Sequence, residues 1–66
     1  MEFQIEFEQE DDGRWIAEIV SLPGVMAYGS SRSEAESRVE ALALRVIADR
    51  IERENTTMKH VQFAVA

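Results

Sequence analysis

Apolar and polar residues alternate from the start of the chain, with Phe3, Ile5 and Phe7 set between Glu2, Gln4, Glu6 and Glu8. Period two places the apolar side chains on one face and the acids on the other, which predicts a half-buried antiparallel strand. Glu10-Asp11-Asp12-Gly13 follows as a hairpin connection, with Asp12-Gly13 supplying residues that tolerate positive φ. From Arg14 to Val20 the alternation resumes with Trp15, Ala17 and Ile19 on one face and Ile16, Glu18 and Val20 on the other. A strand with two largely apolar faces is central, or its outer face is covered by another subunit.

The joint of the chain is Leu22 to Ala35, where strand periodicity gives way to helix periodicity. Pro23-Gly24 fits a type II turn, proline presetting φ at the first corner and glycine accepting the left-handed conformation at the next. Val25 to Tyr28 is long enough for a third strand and too short for a helix. Gly29 ends that run. Ser31 and Glu34 then form a capping box, the serine oxygen accepting from the Glu34 amide and the carboxylate reaching back to the serine amide, so a helix begins at Arg32.

That helix is expected to run to about Arg53. Ala35, Val39, Leu42, Ala43 and Val46 share one side at spacings of three and four and face the sheet. Ala41, Leu44, Ala48 and Ile51 form a second apolar strip nearly opposite, which reads as a subunit interface. Asn55 suits a left-handed cap at the helix end. Val61, Phe63 and Val65 alternate with His60, Gln62 and Ala64 as a fourth strand. The expected fold is α+β in the order β-β-β-α-β: a two-layer sandwich with a three-stranded meander, a fourth strand and one helix packed on the sheet.

Length changes this picture by making the fold marginal. A chain of 66 residues is one domain and buries only about 60% of the surface its unfolded form exposes. It has no cysteine and one histidine, so neither a disulfide nor a closed zinc site can staple it. Oligomerisation is the remaining way to bury more apolar surface, and Trp15, Ile16, Leu44, Ala48 and Ile51 are the interface candidates. No signal peptide or membrane span is legible, and a cytoplasmic location is expected.

Charge narrows the partners. Thirteen acids against seven bases leave a formal net charge of −6. Phosphate neutralisation needs a concentrated basic surface, so a basic protein is a more natural partner than nucleic acid. Candidate chemistry is sparse. Asp11 and Asp12 are neighbours at a hairpin tip and diverge, whereas a metal or hydrolytic site needs acids from different elements meeting in a cleft. His60 has no thiol to activate. Gly13, Gly24 and Gly29 form no phosphate loop. Neither a catalytic residue nor a cofactor or metal is expected.

The ordered set of Asp11-Asp12-Gly13, Trp15-Ile16-Ala17-Glu18, Leu22-Pro23-Gly24-Val25 and Gly29-Ser30-Ser31 with Glu34-Ala35 resembles the HicB-type antitoxin family of bacterial and archaeal toxin–antitoxin systems. Ser31 stands where that family carries threonine. The resemblance covers most of the chain and implies a partial ribonuclease H-like fold of β-β-β-α-β order. It also implies a function: binding and covering a small basic HicA-type toxin, an RNA-cleaving protein with a fold like double-stranded RNA-binding domains. Many members append a helix-turn-helix or ribbon-helix-helix domain. None follows the fourth strand here, so direct DNA contact is not expected.

On this reading the protein is a non-enzymatic, homo-oligomeric antitoxin, with Asp11, Asp12, Glu34, Glu36 and Glu40 as candidate toxin contacts. A different class is an orphan small-ligand or peptide-binding module on the same fold, using a pocket near Trp15 and Tyr28. An RNA-processing enzyme is the third.

Overall fold

The computed structural model describes residues 1–66. Its elements are β1 (Glu2–Gln9), β2 (Trp15–Glu18), β3 (Met26–Gly29), α1 (Arg32–Glu54) and β4 (Gln62–Val65). The fold is α+β: a three-stranded meander, one long helix, and a fourth strand parallel to β1 in a mixed sheet of order β3-β2-β1-β4. The element order is the one expected from the sequence.

The turns explain why the strands pair as they do. Gly13 takes φ +91 and its amide donates to the Glu10 carbonyl at 2.9 Å. Asp12 keeps an ordinary φ. Its carboxylate instead accepts from the Arg14 amide at 3.1 Å, the way aspartate side chains mimic a backbone turn. Between β2 and β3 the Val25 amide donates to the Leu22 carbonyl at 3.0 Å, with Gly24 at φ +84, as a type II turn with Pro-Gly at its corners requires. β2 is shorter than the alternation suggested, because Val20 already belongs to this turn.

Pairing along β1 is staggered. Its first half, Glu2 to Ile5, pairs only with β4, and its second half, Glu6 to Gln9, pairs only with β2.

Helix α1 begins and ends on the expected signals, with one shift. Ser31 accepts from the Glu34 amide at 3.1 Å, but the Glu34 carboxylate reaches back to the Ser30 amide at 2.8 Å, one residue before the expected donor. Asn55 closes the helix in the left-handed conformation, φ 50 and ψ 44. The buried row is Ala35, Val39, Ala43 and Ile47, while Leu42 and Val46 are half-buried flanks. Four-residue spacing advances about 40° around the helix per step, so the buried side slants. Ile51 follows the same slant and packs against the core, leaving Ala41, Leu44 and Ala48 exposed.

The helix lies over β2 and β3. Between the layers sit Phe3, Ile5, Ala17, Ile19, Leu22 and Val25, with the helix row above them. Gly29 is the point of closest approach: a Cβ there would lie 2.5 Å from the Ala35 nitrogen. Over β1 and β4 the cover is thinner. Phe3 and Phe63 meet there at 6.1 Å between ring centroids, and Val65 is 49% exposed.

Candidate protein-binding surface

Strand parity and register together define the solvent face of the sheet. Phe3, Ile5, Ala17 and Ile19 point toward the helix, so Glu2, Gln4, Glu6, Glu8, Ile16 and Glu18 point away from it. Register adds Tyr28 opposite Ile16 and Met26 opposite Glu18. The outcome is an apolar strip of Ile16, Met26 and Tyr28 bordered by acids from β1 and β2. Met26 and Tyr28 are 42% and 41% exposed.

The acids on this face are not neutralised by their own chain. The three ion pairs of the molecule are Arg14–Asp12, Arg38–Glu34 and Arg53–Asp49, and none includes Glu2, Glu6, Glu8 or Glu18. Moreover Glu6 lies directly opposite Glu18 in an antiparallel pair. Like charges so placed have Cβ atoms about 5 Å apart and destabilise the sheet. Arg14, beside this face, is already engaged: its guanidinium holds Asp12 at 3.0 Å and stacks 4.8 Å above the Tyr28 ring. A face that combines uncompensated negative charge with an apolar strip is complementary to a basic surface carrying an apolar anchor.

The five acids singled out from the sequence fall elsewhere. β1 and β3 run toward the same end of the molecule, so the β1–β2 hairpin tip with Asp11 and Asp12 and the start of α1 with Glu34 lie at that end. Two of them are already occupied. The Arg14 backbone amide, with its guanidinium, lowers the Asp12 pKa, and the Ser30 amide, with the Arg38 charge, lowers that of Glu34. Any stability these groups contribute is present above the ordinary carboxylate range and is lost as pH falls through their lowered values.

Glu36 and Glu40 lie one turn apart on the flank of α1. Burial pushes the Glu40 carboxyl up, and the nearby Glu36 charge adds to the shift. The sign is opposite to that of Glu34: the contribution of Glu40 is full below its unfolded-state pKa and is lost as pH rises through the higher folded-state value. Glu40→Gln, which mimics the protonated form, is therefore expected to stabilise the protein by about 0.3 kcal/mol at neutral pH, the size of a like-charge pair one turn apart. Near pH 3 the gain should vanish. Urea midpoints at the two pH values check this, and an equal gain at both would assign the effect to packing.

The interface candidates do not form one patch. Trp15 and Ile51 pack against the core, Ile16 lies on the solvent face of the sheet, and Leu44 and Ala48 are exposed on α1. Trp15 and Tyr28 stand on opposite faces, because Trp15 pairs with Gly29 while Ile16 pairs with Tyr28. They cannot line one pocket, and the surface holds no pocket. No three His, Cys, Asp or Glu side chains are placed so that they could hold a metal ion, and no helix is long and apolar enough to cross a membrane. No family model, curated protein or solved structure matches this chain.

Proposed function

We propose that this protein is an antitoxin of the HicB type, which binds a small basic RNA-cleaving toxin of the HicA type and acts by covering it. The solvent face of the sheet carries the reading. It offers three acids without basic partners, Glu6, Glu8 and Glu18, around the Ile16–Met26–Tyr28 strip, at the cost of a Glu6–Glu18 repulsion that a merely soluble domain has no need to keep. Two further supports are the ordered motifs from Asp11 to Ala35 and the β-β-β-α-β order that the resemblance implies. The protein works by contact, and its own side chains perform no reaction.

Co-expression with a candidate basic toxin tests the proposal. The expected result is rescued growth and co-purification of the two chains, with the complex weakening as salt is raised. Growth arrest unrelieved by the protein, together with no co-purification at low salt, would overturn it. The ligand-binding alternative has no specific observation behind it, since its two aromatic residues lie on opposite faces of the sheet.

A further inference from the structure

We infer that β4 is a self-pairing edge, through which two copies of this chain join antiparallel into one continuous eight-stranded sheet. This inference is independent of the antitoxin reading and concerns a different surface.

Backbone direction is the first support. The Gln62 amide donates to the Met1 carbonyl and the Ala66 amide to the Ile5 carbonyl, each at 2.9 Å, so the even-numbered residues of β4 face β1. Backbone groups alternate sides along a strand, which turns those of Val61, Phe63 and Val65 outward to the free edge. Exposed edges invite pairing, and natural proteins blunt them with charges, proline, bulges or a covering element. None of these guards β4. From Val61 to Ala66 there is no charged residue and no proline, in a chain that is 30% charged, and α1 packs over β2 and β3 rather than over β4. By contrast Arg38 guards the opposite edge strand, donating to the Tyr28 carbonyl at 3.0 Å.

Charge selects the occupant. Two chains of net charge −6 repel if they meet through the acidic sheet face, but an uncharged strand meets its own copy without bringing acids together. A two-fold axis normal to the sheet keeps Val61, Phe63 and Val65 of both copies on the helix side. Registers centred on residue 63 or residue 64 both satisfy this, pairing Phe63 with itself or with Val65 of the partner, and such aromatic and β-branched pairs are favourable. The isolated chain also has surface to hide: 4538 Å² is about 300 Å² more than a compact monomer of this mass exposes.

Sedimentation velocity at micromolar concentration, read together with amide exchange, provides the test. The wild-type chain should sediment at twice its 7.5 kDa mass, and the Phe63 and Val65 amides should exchange at least about tenfold more slowly as concentration rises. Val65→Pro removes an outward amide and Val65→Lys charges the edge; each should sediment at the single-chain mass with an unchanged far-ultraviolet spectrum. If the proline variant fails to fold, the lysine variant and the exchange readout decide. A wild-type monomer, a dimer whose Phe63 and Val65 amides exchange freely, or a dimer unaffected by Val65→Lys would overturn the inference. So would protection of these amides only when a basic partner protein is added.

Discussion

Gly29→Ala is expected to unfold this protein or bring it close to unfolding. The added methyl would lie 2.5 Å from the Ala35 nitrogen, 3.0 Å from its Cα and 3.0 Å from the Glu34 carbonyl carbon. All three are backbone atoms in the first turn of α1, so no side-chain rotation relieves the clash. The helix start must lift from the sheet, and Ala35 and Val39 would lift with it. Overpacking of this kind costs about 3 kcal/mol, against a total stability on the order of 3–10 kcal/mol for a chain of this length. A fall in melting temperature of about 12–24 °C follows. Gly24→Ala is the control: it strains a positive φ but meets no atom within 4 Å, so its cost should be about 1–2 kcal/mol. Gly29 itself has no positive φ, so a loss in Gly29→Ala no larger than that in Gly24→Ala would show that the helix start yields to the added methyl at little cost and that the close approach of helix and sheet is not a tight requirement.

Charge reversal at Glu18 should move stability and partner binding in opposite directions. Glu18→Lys replaces a like-charge cross-strand pair by an attractive one, which should raise the stability of the isolated protein by about 1 kcal/mol and its melting temperature by about 4–8 °C. The same change places a positive charge in the middle of the proposed docking face. Affinity for a basic toxin should drop by at least about tenfold, or 1.4 kcal/mol, chiefly through a slower association rate and a shallower salt dependence. Glu36→Lys, on the flank of α1, should leave binding unchanged. A stabilised Glu18→Lys protein that binds as tightly as wild type would remove the sheet face from the mechanism, and loss of binding in Glu36→Lys alone would move the contact to the helix.

These two positions also mark how far the sequence can be read. Local signals carried the fold: the alternation around Phe3, Ile5 and Phe7, the Pro23-Gly24 corner, the Ser31 cap and Asn55 each depend on residues within one turn of one another. The acidic face of β1 was legible too, in Glu2, Glu6 and Glu8. That Glu18 is added to it, opposite Glu6, depends on cross-strand register, a non-local quantity fixed here by the Gly13 and Asp12 turn chemistry. Register likewise separates Trp15 from Tyr28. Gly29 reads as the end of an apolar run until the helix axis is placed above it. Ile47 escaped a fixed-stripe template because the buried row slants at four-residue spacing, carrying Ile51 inward and leaving Leu44 outside.

The stagger along β1 has a consequence for the order in which the molecule assembles. Gln9 and Trp15 are six residues apart in the chain, whereas every β1–β4 partner, such as Ile5 and Val65, is 60 residues away. Closing the tenfold longer loop costs about 2 kcal/mol more chain entropy. The meander and helix can therefore form as an early kernel while the first half of β1 waits as an unfilled template. The final strand arrives last, by a path that reaches around the whole of that kernel.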